Sequence, residues 1–162
     1  MKITIDVRDV LASITRAFMG HGGFSGSEKY RRLVLLEGFL EITRPFLLIM
    51  AVPMAGIGAF LAPGPLLSLP SLVIGVLAVM LAVGGIHVFN DWVDQKRDRE
   101  VWPHRPIPAG RFPIKFAPVY AGILMISSAL IIGIKFNLMT LAVLSVAIVL
   151  GVFYCLIARD RL

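Results

Sequence analysis

Four long apolar stretches, residues 46–62, 69–89, 113–134 and 138–158, constrain this 162-residue chain more than any other feature of its sequence. Each approaches the ~20 residues an α-helix needs to cross a ~30 Å hydrocarbon core at about 1.5 Å per residue. Within them the ionisable side chains of note are His87, near the end of the second, and Lys115, near the start of the third. Hydrocarbon offers the backbone no water to bond, so stretches of this kind must be helical. The apolar residues make up 57% of the chain, above the ~45–50% of an ordinary globular protein, and the excess lies in these four stretches. A soluble bundle of unusually apolar helices is the alternative, and four nearly uncharged spans in so short a chain argue against it. The expected fold class is all-α: a polytopic transmembrane bundle of about four spans.

The net charge of +6 is unevenly placed. Lys2, Arg8, Arg16, Lys29, Arg31, Arg32 and Arg44 precede the first span. Lys96, Arg97, Arg99, Arg105, Arg111 and Lys115 lie between or beside spans two and three, and Arg159 and Arg161 follow span four. The loop at 63–68 has no charge, and the loop between spans three and four has only Lys135. The positive-inside rule then puts both termini and the middle loop in the cytoplasm. No stacking aromatics interleave with these cations, which excludes a nucleic-acid surface. Cys155 is the single cysteine, so an internal disulfide and a thiolate metal site are both excluded. Residues 1–20 carry Lys2, Asp6, Arg8 and Asp9 and lack the apolar core of a cleavable signal peptide.

Two regions follow: a cytoplasmic segment, 1–43, and a four-span membrane domain, 44–162. In the first, Val7, Val10, Leu11, Ile14 and Phe18 recur at spacings of three and four. That pattern fits an amphipathic helix lying on the membrane face, and a frayed terminus equally. Residues 20–27 are Gly/Ser-rich and read as a linker, and a second amphipathic helix is expected at about 28–43. Met50, Met54, Met80, Met125 and Met139 read as packing residues.

The polar chemistry sits after span two. If the helix continues through Asn90-Asp91-Trp92-Val93-Asp94-Gln95-Lys96-Arg97-Asp98, then Asn90, Asp91, Asp94 and Asp98 share an arc of about 100°. His87 lies on the same face one turn deeper; a lone histidine there is more often a satisfied buried residue than a ligand. Three carboxylates and an amide on one stripe repel unless a cation sits among them, and oxygen-only ligands suit Mg²⁺. Pro103, Pro106 and Pro108 make the next segment stiff and non-helical, which holds Arg105 near the stripe. A metal flanked by arginines is suited to a diphosphate. The plainer reading is solvated acids past a helix end, paired with Lys96, Arg97 and Arg99.

The run Asn90-Asp-x-x-Asp94-x-x-x-Asp98, followed by Arg105-Pro-Ile-Pro-Ala-Gly110, covers 21 positions. It resembles the first aspartate-rich motif of the UbiA superfamily of intramembrane prenyltransferases, most closely the chlorophyll synthase and archaeal digeranylgeranylglyceryl phosphate synthase branches. Arg44-Pro45 is similar to the family's first-helix arginine, and Tyr154 with Arg159 resembles the tyrosine and basic residue that end its fourth helix, where lysine is usual. The resemblance implies transfer of an isoprenoid chain from a prenyl diphosphate to an aromatic or lipid acceptor within the bilayer. Asn90, Asp94 and Asp98 would hold Mg²⁺, with Asp91 in support. Arg44, Arg105 and Arg159, with Tyr154, would bind the diphosphate, and Asp94, Asp98 and Arg105 would carry the catalytic work.

The departures are as informative. Members of that superfamily have about nine transmembrane helices and a second aspartate-rich motif, whereas after Asp98 this sequence has only Glu100 and Asp160 as acids. Arg99-Glu100-Val101-Trp102 also replaces the usual asparagine-containing linker. The sequence therefore reads as the N-terminal half of such an enzyme, incomplete by itself: either a truncated product or one piece of a split enzyme, completed by a second half-protein or by a homodimer partner. A non-catalytic carrier of isoprenoid diphosphates and a small transporter or channel subunit are the alternatives. The acceptor and the prenyl chain length are not specified by these residues.

Overall fold

The computed structural model describes residues 7–19, 31–61 and 67–158, and all of their regular structure is helical. In chain order the helices are α1 (Val7–Met19), α2 (Arg31–Glu41), α3 (Pro45–Leu48), α4 (Ala51–Leu61), α5 (Leu69–Val93), α6 (Gln95–Val101), α7 (Ala117–Lys135) and α8 (Leu138–Ala158). The expected linker at 20–27, most of the loop at 63–68, and Arg159 lie outside the described residues.

Three segments are long and apolar enough to span a bilayer, Leu69–Val93, Ile114–Lys135 and Leu138–Ile157. A fourth is broken: Val34–Leu48 and Ala51–Leu61 meet at a 43° bend. The sequence reading expects one straight span at 46–62, and the difference has a local cause. Pro53 has no N–H to give the Ile49 carbonyl, and its ring crowds that carbonyl. The chain instead takes tighter three-residue steps at the break, Met50 N to Leu47 O and Val52 N to Ile49 O.

α5 is the central helix, touched by α3, α4, α7 and α8. Its buried residues along the span are small, namely Ala78, Ala82, Gly84, Gly85 and Val88; Gly84 faces Thr43 and Leu48, and α7 in turn buries Ala117, Ala121, Ser128 and Ile132. A Cβ at Gly85 would lie 2.7 Å from Met125 Cγ and 2.9 Å from the Ala121 carbonyl oxygen, so glycine sets how closely the two helices approach. Lipid supplies no hydrophobic drive between helices, and small residues with occasional polar bonds take its place. Ser128 Oγ donates such a bond to the Ala78 carbonyl at 2.6 Å. The tight turn from α7 into α8 is set by Asn137, whose Oδ1 accepts from Thr140 N at 2.9 Å as an N-cap.

The outer faces of α7 and α8 expose Val119, Ile123, Ile126, Leu130, Val143, Val146, Leu150 and Phe153. In water that continuous apolar surface would drive aggregation, whereas in a bilayer lipid or further membrane helices cover such a surface. This is an all-α integral membrane protein. The densest core lies at the α5 end that carries the acidic residues: Ile42, Val88, Ile107, Phe112, Ala117 and Ala121, with Phe39 and Tyr120 packed on them. That core joins α2, α5, α7 and the 102–116 loop beneath the polar site.

Candidate active site

Helix α5 ends at Val93 and α6 starts at Gln95, with Asp94 at the joint. The helical course survives it, since Asp94 N bonds Asn90 O at 2.9 Å and Asp98 N bonds Asp94 O at 3.0 Å. Asn90, Asp91, Asp94 and Asp98 therefore keep the common arc that their spacing suggests. Asp91, Asp94 and Asp98 are all buried.

Each aspartate has its own arginine. Arg44 Nη2 donates to Asp91 Oδ1. Arg105 Nη1 donates to Asp98 Oδ2 at 2.6 Å and lies 3.7 Å from Asp91 Oδ1. Arg97 Nη2 donates to Asp94 Oδ2 at 2.7 Å, an oxygen that also accepts from Asn90 Nδ2 at 3.2 Å. Arg44 and Arg105 thus converge on one acidic patch from segments 61 residues apart in sequence.

Both arginines are delivered by constrained backbone. Arg44 has φ 54° and ψ 59°, the one positive φ outside glycine among the described residues. Left-handed backbone costs such a residue about 1–2 kcal/mol. Pro45 disfavours the ordinary α region for the residue before it, so the chain reverses sharply between α2 and α3 and turns Arg44 toward α5. Arg105 is held in a knot of turns. Its N–H bonds Trp102 O at 3.0 Å, and its carbonyl accepts from Ala109 N at 2.9 Å. Its guanidinium also sits 5.5 Å from the centre of the Trp102 ring. Gly110, at φ +72°, lets the knot close.

A second charge cluster underlies the first, and sequence reasoning missed it. Arg111 donates to both carboxylate oxygens of Glu41 and to the His104 carbonyl, while Glu37 Oε1 lies 3.8 Å from Arg111 Nη1. Arg111, Glu41 and Glu37 are all buried. Arg111 so fastens α2, which leads into Arg44, to the loop that carries Arg105. A Cβ on Gly38 would lie 2.3 Å from the Arg111 carbonyl oxygen, which shows how closely the loop backbone crosses α2. A signal was available: Glu37 and Glu41, one helical turn apart, require a shared countercharge if buried.

The acidic arc opens on two clefts. One, of about 280 Å³, places Asp91, Arg44 and Arg105 against Phe18, Phe46 and Leu47. The other, of about 490 Å³, is lined by Asp94, Lys96, Arg97 and Glu100. Asp91 lines the first cleft and Asp94 the second, and each carboxylate is paired with a different arginine. Among the described residues no three His, Cys, Asp or Glu side chains form a metal cluster. Mg²⁺ needs only one or two carboxylates when phosphate oxygens and water complete its shell. Asp94 with Asn90 against it, and Asp98 Oδ1, buried with no hydrogen-bond partner, fit that smaller donor set.

One expected site residue, Tyr154, stands elsewhere, and His87 keeps the non-ligand place expected of it. Tyr154 is 71% exposed on the outer side of α8, while its neighbour Cys155 turns inward, one residue being about 100° of helix. His87 is half-buried in α5, a turn below Asp91.

Comparison with known sequences decides the family. The profile of the UbiA prenyltransferase family matches residues 51–161. This chain belongs to the UbiA prenyltransferase family. It is 38% identical over 91 residues to digeranylgeranylglyceryl phosphate synthase of Methanoculleus marisnigri, covering 56% of this chain and 32% of the relative. With the enzyme of that name from Methanobrevibacter smithii it shares 37% identity over 96 residues, 59% of this chain and 33% of the relative. Protoheme IX farnesyltransferase of Parvibaculum lavamentivorans is 28% identical over 115 residues, 68% of this chain and 35% of the relative. The chain thus spans about a third of the length of these UbiA relatives. No solved structure matches it.

Proposed function

We propose that this chain supplies the first aspartate-rich half of a prenyltransferase site. It would bind the headgroup of a prenyl diphosphate for transfer of the isoprenoid chain to a hydrophobic acceptor in the bilayer, with the rest of the site contributed by further sequence, a separate half-protein or a second copy. The observation that carries the reading is the convergence of Arg44 and Arg105 on Asp91 and Asp98. Two guanidiniums from distant segments, held over buried carboxylates at the end of an apolar bundle, suit a ligand with a dianionic head and an apolar tail.

Arg44 and Arg105 pair with aspartates when no ligand is bound, and an entering diphosphate offers them more oxygens in the same fork geometry. Asn90, Asp94 and Asp98 would hold Mg²⁺, with Asp91 in support; bound there, the ion neutralises charge on the diphosphate oxygens. As the allylic carbon–oxygen bond breaks, the electron pair passes to the diphosphate, and Arg44 and Arg105 already point at that growing charge. Arg159, the basic residue that follows Ala158 in sequence, would join them. The allylic cation would form among apolar side chains that keep water away, the acceptor's electron pair would close on it, and the acceptor's proton would pass to the departed diphosphate. By the positive-inside rule the site faces the cytoplasm.

The test is titration of geranylgeranyl diphosphate into the purified chain in lipid nanodiscs, with and without Mg²⁺. Saturable, Mg²⁺-dependent binding that Arg105→Ala weakens supports the reading. Binding no tighter than that of geranylgeraniol refutes it. A carrier without catalysis is the second reading, favoured by the neutralisation of each aspartate by its own arginine. Transfer of radiolabelled prenyl chain to lipid when this chain is co-expressed with a segment bearing a second aspartate motif decides against the carrier. Crosslinking in native membranes that finds only monomer removes the homodimer version.

A further inference from the structure

Helix α1 is docked with its apolar side facing out. At 100° per residue Val7, Leu11, Ile14 and Phe18 form one narrow stripe, and their exposures are 70%, 58%, 43% and 37%. Arg16, on the opposite side of the helix, faces α2 instead, with its Nε 3.8 Å from the buried Glu37 carboxylate. A helix on a water-soluble surface does the reverse and buries its apolar stripe against the protein. The stripe also does not end in isolation. At its C-terminal end the Phe18 ring meets Phe46 edge-on, centroids 6.4 Å apart. Phe46, Leu47 and Met50 are themselves exposed, where the broken first span begins. The apolar stripe of α1 therefore runs on into the exposed apolar start of that span.

We propose that α1 is a membrane-surface helix, lying along the bilayer beside the first span with Val7, Leu11 and Ile14 among the lipid chains and Phe18 at the edge of the cleft. Two features select lipid over another protein as the occupant. The stripe runs on into the exposed apolar residues that open a membrane span, and its own side chains are aliphatic or aromatic along the whole helix. Helices of this type sink their apolar face about 5–10 Å below the headgroups. Arg8, exposed at the edge of the stripe, stands where a long basic side chain reaches back to lipid phosphate. The docking also has a structural consequence at the site. Phe18 walls the cleft of Arg44, Asp91 and Arg105, so a helix fixed in the membrane surface fixes one side of that cleft.

The test uses the full chain in proteoliposomes with Cys155→Ala and one bimane-labelled cysteine at position 7, 8, 11, 14 or 15. Each is quenched either by phospholipid spin-labelled near the top of its acyl chain or by aqueous iodide. The expected result is a helical alternation, with lipid quenching several-fold above iodide quenching at 7, 11 and 14 and the reverse at 8 and 15. Equal iodide access at all five positions overturns the proposal, because the stripe then faces water. Protection of 7, 11 and 14 from both quenchers also overturns it, because a protein surface then covers the stripe. In Leu11→Glu/Ile14→Glu chains, lipid quenching at position 7 is expected to fall to the level seen at position 8, and its persistence would equally overturn the proposal. None of these readings depends on prenyl transfer.

Discussion

Arg111→Ala is expected to destabilise the fold more than any change at the acidic motif, and the size follows from what it leaves behind. Arg111 is buried, holds Glu41 through both of its carboxylate oxygens, and also bonds the His104 carbonyl. Its removal strands Glu41, and it takes from Glu37 one of two cations that lie 3.8 Å from its Oε1, the other being Arg16. Removing one partner of a buried ion pair typically costs about 3–5 kcal/mol, because the remaining charge has neither water nor a partner. At about 2–4 °C per kcal/mol for a chain of this size, that is a fall of roughly 6–20 °C in Tm. The assay is thermal unfolding in a single detergent, and a control separates charge from packing. Glu41→Leu/Arg111→Met replaces both partners with apolar side chains of similar bulk, an exchange that is often neutral. The double variant should therefore melt well above Arg111→Ala. If Arg111→Ala melts within about 1 °C of the parent, the clamp carries no stability and the argument fails. If the double variant is the worse of the two, the clamp acts through packing and not through the stranded charge.

Other outcomes follow from single geometric facts. Gly38→Ala puts a methyl 2.3 Å from the Arg111 carbonyl oxygen, a backbone atom that cannot swing aside, so a loss of about 1–3 kcal/mol is expected in the same melt. Gly110→Ala meets nothing within 4 Å but sits at φ +72°, so only the backbone penalty of about 1–2 kcal/mol should appear. Asp94→Asn should weaken Mg²⁺-dependent geranylgeranyl diphosphate binding about 10- to 100-fold, the range that loss of a charged hydrogen bond supports, with Tm little changed; unchanged affinity would remove Asp94 from the metal set. Ser128→Ala deletes the bond from α7 to the Ala78 carbonyl and should cost about 0.6 kcal/mol, up to about 1.7, as interhelical bonds in membranes do.

The spans were legible because a bilayer imposes a simple rule, about 20 apolar residues per helix, and three of the four stretches meet it as read. The first does not run straight, and the sequence had said why: Pro53 sits four residues past Ile49, where a helical N–H is required. The common arc of Asn90, Asp91, Asp94 and Asp98 was legible for the same kind of reason, since the helical course carries through the Asp94 joint. Periodicity gives the side of a helix from which a residue leaves, and nothing about which distant residue meets it. Hence the pairing of Asp91 with Arg44 and of Asp98 with Arg105 needed coordinates. Tyr154 shows the limit from the other direction. A motif position five residues before Arg159 seemed to place it in the site, yet the face of α8 turned toward α5 is set by Gly151, where a Cβ would lie 2.7 Å from Ile86 Cδ1, and by Cys155 four residues on. Tyr154 is a step of about 100° away from that face.

The two charge clusters answer different demands, and their separation explains the local design. Glu41 and Arg111 form a bidentate pair whose one further donor contact is spent on a carbonyl, while Glu37 beside them keeps both carboxylate oxygens buried without a hydrogen bond. Such a pair resists exchange, because any ligand that took Arg111 would leave Glu41 buried and bare. The upper cluster is mismatched. Asp98 keeps one oxygen without a hydrogen bond, Arg105 is divided between Asp98 and Asp91, and Arg44 holds Asp91 only by means of a left-handed backbone. A network that is incompletely satisfied and held in strained geometry gives up its contacts at less cost than a complete one. The complete pair sits where the loop must be fixed to α2, and the incomplete one lines the cleft that a multiply charged ligand would enter. Rigid support beneath exchangeable charge is what a diphosphate site requires, since the arginines must change partners while the backbone that aims them stays still.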